Sequence, residues 1–119
     1  MAVIAAILTA LVAASHFGFL AMEMFFWDHP FGRGVFKLTP EFSAASKVLA
    51  ANQGLYNGFL AAGLTWALIA GRRDLKVFFL GCVIVAGLYG GYSVGPKIYL
   101  YQALPAALAL LAVLATRKA

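Results

Sequence analysis

Apolar positions gather into four runs along the chain, about Ala2 to Trp27, Val48 to Ala70, Val77 to Tyr92 and Ile98 to Thr116. None alternates with the period of two that a membrane β-strand keeps over roughly ten residues. Each approaches the roughly 20 residues with which a helix crosses a hydrocarbon core about 30 Å thick, the third being the shortest. The first connection, "DHPFGRGVFKLTPEF", combines two prolines, two glycines and mixed charges, the composition of a turn or short surface loop. After it, Thr39 is placed to cap a helix, Pro40 suits the first helical position and Glu41 complements the positive helix end. The second connection, "GRRDLK", is a compact charged turn, and in "SVGPK" Gly95 and Pro96 stop one helix before Lys97 opens the next. Short connections make neighbouring helices antiparallel. The pattern therefore predicts an all-α fold, an up-down-up-down bundle of four transmembrane helices. It forms a single integral membrane domain over 1–119, with helices at about 2–27, 40–70, 75–93 and 97–116 and both termini on one face.

Composition strengthens the membrane expectation. Of the 119 residues 64% are hydrophobic and 11% charged, and the mean hydropathy is +0.92, which leaves too little polar chain to cover four apolar runs in water. The expected setting is a multi-pass position in the plasma (cell inner) membrane, with the lipid bilayer as the first partner. A cleaved signal peptide is the competing reading of the first run, since "AAS" near Ser15 looks like a cleavage site. However, no Lys or Arg precedes it, and the run stays apolar to Trp27.

A net charge of +5 would suggest nucleic acid in a soluble protein. Here Arg33, Lys37, Lys47, Arg72, Arg73, Lys76, Lys97, Arg117 and Lys118 fall at the edges of the runs, where lipid head groups are the simpler partners, so no nucleic acid is expected. Five of these cations belong to the terminal face and four to the opposite one, which leaves orientation nearly unmarked. The absence of any before the first helix, with Arg33 and Lys37 after it, favours an outside N-terminus. Cys82 is the one cysteine, so no intrachain disulfide forms, and a small buried thiol is its simplest role. There is no metal-ligand quartet, no glycine-rich phosphate loop and no nucleophilic triad; neither metal nor cofactor is expected.

Polar residues inside the runs carry the functional question. With helix direction alternating and a rise of 1.5 Å per residue, Glu23 lies roughly 6 Å inside the face of the first and third loops, Gln53 roughly 8 Å and Gln102 roughly 6 Å. Tyr89 and Tyr92 close the third helix at the same depth. His16 stands two turns from Glu23 on nearly the same stripe, and Asn57 one turn beyond Gln53. Together with Asn52, these residues outline one polar cleft, with Glu23 and His16 as candidate acid or base and Asn52, Gln53, Asn57, Tyr89 and Gln102 as ligand contacts. Amides in membrane helices also serve as plain interhelical hydrogen bonds, but an ionisable group within a span usually marks a site or pathway. Trp27, Tyr99 and Tyr101 read as interfacial anchors, and His29 as a solvated loop residue.

Small residues form a second pattern. Ala50, Gly54, Gly58 and Ala62 recur every four positions in helix two, and Gly87, Gly91 and Gly95 do so in helix three. Such stripes let helices approach closely, within the chain or in a homo-oligomer. In helix two the amide face and the small face are expected to point in different directions.

The blocks "LAMEMFFW", "VLAANQGLYNGFLAAGL", "VAGLYGGYS" and "QALPA" resemble, in order and spacing, the small integral membrane proteins grouped as domain of unknown function 1304. The resemblance covers nearly the whole chain. It implies four spans and draws attention to Glu23, Asn52, Gln53, Tyr56, Asn57 and Gln102, with no activity attached. Three functions remain in play: a site that binds or converts a small lipophilic molecule, a small proton-coupled exporter, and a structural subunit of a membrane complex. The exporter reading rests on a likeness in size and helix number to the small multidrug resistance transporters, whose carboxylate lies nearer mid-span.

Overall fold

The computed structural model describes residues 1–116; Arg117 and Lys118, counted above on the terminal face, lie outside them. Helix accounts for 87% of the structure and no strand occurs among the described residues, so the fold is all-α. Five α-helices follow in order: α1 (Ala2–Phe25), α2 (Pro30–Phe36), α3 (Pro40–Ala70), α4 (Arg73–Ser93) and α5 (Leu104–Leu114), the last preceded by a π-helical turn at Tyr99–Ala103.

Two of these helices, α1 with 24 residues and α4 with 21, are long and apolar enough to cross a membrane. α3 is longer, at 31 residues, but Asn52, Gln53 and Asn57 dilute its hydropathy. The closing apolar helix, Tyr99–Leu114, is shorter than a full span. In α1 and α4 only 28% of the most apolar stretch is buried. Their greasy side chains point outward, as do Leu49 at 75% exposure and Ile69 at 83%.

Helix boundaries follow from local chemistry. The connection before Pro40 contains a helix rather than an irregular loop. His29 Nδ1 accepts the Phe31 N–H at 3.0 Å, Pro30 occupies the first turn, and Lys37 closes α2 in the left-handed region at φ 57°. His29 is exposed, as a solvated residue is, and it also caps α2. Thr39 Oγ1 accepts the Phe42 N–H at 3.1 Å, starting α3. α3 ends where Gly71 takes φ +63°, with Gly71 N–H on Leu68 O and Arg72 N–H on Ala67 O, the paired bonds of a left-handed C-terminal cap. The charged turn is shorter than its sequence suggests, because α4 already begins at Arg73.

The chain divides into two compact units, one of Met1–Ala14 with Leu60–Ala119 and one of Ser15–Phe59. In the first, Ala5, Val12 and Ala13 pack with Leu64, Leu80, Val83, Ala106, Ala109, Ala112 and Val113. The preponderance of alanine brings helix backbones close. At Gly87 a neighbouring backbone comes close: a Cβ there would sit 2.6 Å from Ala103 N and 2.9 Å from Ala103 Cα. Gly91 lies under the Tyr99 ring, so Tyr99 packs on α4, whatever it also does as an interfacial anchor. The π turn, in which the Leu104 N–H reaches back to Tyr99 O, accommodates Pro105, whose ring would crowd the carbonyl four residues earlier in a regular α-helix. Arg73 donates to Leu114 O at 3.2 Å, satisfying a carbonyl at the end of α5.

The second unit joins the end of α1 to the start of α3 through α2. Gly32 backs onto the end of α1 so tightly that any Cβ would overlap the Phe26 carbonyl. Asp28 Oδ1 accepts from Arg33 at 2.8 Å and from Ser43 Oγ at 2.8 Å. Trp27 Nε1 donates to Ser46 Oγ at 2.9 Å. Trp27 therefore ties α1 to α3, whatever it also does as an interfacial anchor.

Candidate functional site

The second unit brings one expected pair together. Asn57 Nδ2 on α3 donates to Glu23 Oε1 on α1 at 2.5 Å, with Asn57 buried at 6% exposure and Glu23 half-buried. The bond forms where small residues let the two helices close. A Cβ at Gly54 would stand 2.8 Å from Met24 Cγ, 3.0 Å from Glu23 Cβ and 3.1 Å from Leu20 O, and one at Gly58 would overlap Leu20. Ala50, Gly54, Asn57, Gly58 and Ala61 are all buried, three or four positions apart, and so lie on one face of α3.

That arrangement corrects the expectation that amides and small residues of this helix point apart. Asn57 shares the small face. Asn52 and Gln53 lie exposed, and Asn52 donates to the Val48 carbonyl of its own helix at 2.9 Å. At 100° per residue, Gln53 falls on the flank of the buried face and Asn52 behind it. Tyr56 is 58% exposed and packs edge-on against Phe59, ring centroids 6.0 Å apart.

His16 is buried at 1% exposure. Its Nδ1 lies 3.3 Å from Ser15 Oγ, and its ring meets Phe19 edge-on at 5.0 Å. Seven residues of helix put it about 10 Å from Glu23 along the axis, too far for direct proton exchange between them. Within the first unit, Tyr89 at 70% and Tyr92 at 83% exposure face outward on α4. Gln102 is half-buried within the π turn.

Charge is distributed unevenly over the acidic residues. Asp28 pairs with Arg33 at 2.8 Å and Asp74 with Arg72 at 2.6 Å, while Glu41 is exposed in the first turn of α3. Glu23 is the carboxyl inside an apolar helix, and its partner is a neutral amide. No group of three or more His, Cys, Asp or Glu is placed to hold a metal ion among the described residues. Cys82 is half-buried beside a shallow groove that it lines with Val77, Phe78, Gly81 and Val85. The Asp28, Arg33 and Ser43 cluster and the Trp27 to Ser46 bond were not legible in the sequence, since their partners stand 15 and 19 residues apart with no motif to link them.

Comparison with known proteins places the chain. The sequence model of the family described as "Protein of unknown function (DUF1304)" matches residues 10–114, and the chain belongs to that family. It is similar to "Uncharacterized protein YpaA" of Lactococcus lactis subsp. lactis (strain IL1403), with 33% identity over 115 residues, which span 93% of this chain and 97% of that protein. No solved structure matches it.

Proposed function

We propose that this member of the family is a multi-pass integral membrane protein that holds a small lipophilic molecule at the Glu23–Asn57 pair. α1, α3, α4 and the closing helical run would serve as its four spans in the cell's inner membrane. Support for the bilayer comes from where the apolar side chains go. A core helix of a soluble protein hides most of its apolar stretch, whereas α1 and α4 bury 28% of theirs. Phe17, Leu49, Phe78 and Leu111, one from each long helical segment, are 44%, 75%, 63% and 64% exposed. Apolar surface of that extent calls for an apolar solvent.

The observation that carries the site is the buried amide donating to a carboxyl between two glycine-faced turns. Charge within a span is costly and is retained where it serves a ligand, ion or proton path. In this reading Glu23 and Asn57 supply the orienting polar groups, Gln53 stands on the open flank, and His16 lies deeper along α1.

Two measurements test this. Membranes containing the full chain are washed with alkaline carbonate; retention in the pellet is expected, and release into the supernatant refutes the spanning reading. Protein purified in mild detergent is then extracted and its small-molecule content compared by mass spectrometry among wild type, Glu23→Gln and, as a control, Glu41→Gln. A molecule present in wild type and control but depleted about tenfold in Glu23→Gln at equal protein yield supports the site. Equal content in all three refutes it.

A further inference from the structure

α2 stands outside the four proposed spans. Its seven residues are too few to cross a membrane, yet one side of it is apolar and bare. Phe31 and Val35, four positions apart and so on one side of the helix, are 58% and 54% exposed. At 100° per residue, Gly32 and Phe36 make a second side, and Arg33 and Lys37 a third that stands about 160° around the axis from the apolar one. The second side fixes where α2 lies. Gly32 is seated against the Phe26 carbonyl, and the Phe36 ring meets Trp27 with centroids 5.2 Å apart. Six residues of continued helix would carry the chain about 9 Å onward along α1, so a contact across that interval means that the chain has folded back. α2 crosses the end of α1, and the Asp28 to Ser43 and Trp27 to Ser46 bonds tie the same level to the first two turns of α3.

The bare side of α2 is continuous with the outer surface at the end of α1. The Phe31 ring packs edge-on against Phe26, centroids 6.0 Å apart, and Phe25 and Phe26 are themselves exposed. Whatever solvates those two rings therefore extends over Phe31 and Val35. On the opposite side Arg33 is held by Asp28 at 2.8 Å and Lys37 is exposed, groups that need water or phosphate oxygens. Hydrocarbon on all sides would strand these charges, and water on all sides would leave the apolar side uncovered. A helix divided in this way, laid across the end of an apolar helix long enough to span, fits the boundary between head groups and acyl chains.

Resting on the reading of α1 as a membrane span, we infer that α2 is an interfacial helix lying in the bilayer surface, with phospholipid covering Phe31 and Val35 while Arg33 and Lys37 turn toward the head groups. The occupant of its apolar side is thus lipid, not a second protein chain. Seated on the end of α1 through Gly32, α2 sets the depth at which that helix stops. Because Glu23 stands two residues before the end of α1, the same seating fixes how far its carboxyl lies below the head groups.

The test uses the full chain in vesicles of phosphatidylcholine and phosphatidylglycerol. In a Cys82→Ser background, Phe31→Cys, Val35→Cys and, as a deeper reference on α1, Phe17→Cys are each labelled with a nitroxide. All three positions are exposed, so the Gly32 and Phe36 contacts stay in place. Electron paramagnetic resonance reads collisions with oxygen, which concentrates in hydrocarbon, and with a nickel chelate, which stays in water. The oxygen-to-nickel ratio at both α2 positions should exceed that of the free nitroxide in buffer at least about threefold and fall below that at Phe17→Cys, as expected about 5–10 Å into the boundary. A water-like ratio at α2 beside a lipid-like one at Phe17→Cys overturns the inference and leaves the span standing. A ratio at α2 equal to that at Phe17→Cys puts the helix within hydrocarbon and overturns it too. Labels on α2 that collide with neither reagent would be covered by protein, which also overturns it. If Phe17→Cys itself is water-like, the spanning reading falls and the inference with it.

Discussion

The bond between Asn57 and Glu23 can be measured apart from any ligand by a double-mutant cycle. Asn57→Ala removes the donor and leaves a half-buried carboxyl without a partner. Glu23→Ala strands an amide that is 6% exposed. An interhelical hydrogen bond in apolar surroundings contributes about 0.6 to 2 kcal/mol, and a buried polar group left unpaired costs about 1–3 kcal/mol. Each single variant should therefore lose about 2 kcal/mol, while the double variant, which removes both groups, should lose less than the sum by about 1 kcal/mol. Glu23→Gln should stay within about 0.5 kcal/mol of wild type, because its amide oxygen still accepts from Asn57.

Reversible unfolding in mixed micelles, followed by circular dichroism, supplies the four stabilities. A coupling energy below about 0.3 kcal/mol, the usual additivity error, would mean that the two side chains do not meet and would refute the reasoning. The glycine face provides an independent check. Gly54→Ala places a methyl 3.0 Å from Glu23 Cβ and 3.1 Å from Leu20 O, so α1 and α3 must part by several tenths of an ångström at the turn that carries the bond. In a Gly54→Ala background the coupling should shrink. An unchanged coupling would show that helix approach is not what brings the pair together.

Three further outcomes are expected. Gly87→Ala should cost about 2 kcal/mol by overpacking, since its methyl would meet Ala103 backbone at 2.6 Å, whereas Gly81→Ala, with nothing within 4 Å, should shift the melting temperature little; a reversed ranking would contradict the close crossing of α4 on the π turn. Ser46→Ala removes the acceptor of the Trp27 indole and should alter Trp27 emission in a Trp66→Phe background, with an unchanged spectrum counting against the bond. For the four-span proposal, reporter fusions after Ala70 and at the C-terminus should report one side of the membrane and a fusion just after Trp27 the other; opposite reports from the first two would sink it.

Helical character was legible because the apolar runs are long and the punctuation between them is strong. Gly71 shows how direct such signals can be: a glycine after the last apolar residue of a run supplies the positive φ that lets two backbone N–H groups turn back onto α3. α2 was hidden for the converse reason. "HPFGRGVFK" contains the residues of a loop, and only the cap at His29 and the seating of Gly32 against the Phe26 carbonyl make it helical. Both depend on how the end of α1 presents itself, which no local pattern encodes. The π turn had a local cause in Pro105, but a proline near a helix start more often marks the start itself.

The three amides of "NQGLYN" show where the sequence could take the site and where it stopped. Their clustering was visible, but depth counting set Gln53 level with Glu23 and Asn57 one turn deeper, whereas the bond to Glu23 comes from Asn57. Depth does not fix azimuth. Between Asn52 and Asn57 the helix turns through 500°, so the two amides stand about 140° apart around the axis, and the glycines decide which of them faces α1. Gly54 and Gly58 are packed against Leu20, Glu23 and Met24, which orients the whole of α3 in this unit and sends Asn57 inward. Asn52, turned the other way, satisfies its amide on Val48 O within its own helix, a local solution open to any exposed Asn. The small-residue stripe and the polar pair thus form one device: closeness at two glycines brings an amide on one helix within hydrogen-bond reach of a carboxyl on the next. A substitution that enlarges either glycine should therefore lower stability and, on the proposed reading of this pair as a ligand site, alter ligand retention, with Glu23 and Asn57 themselves unsubstituted.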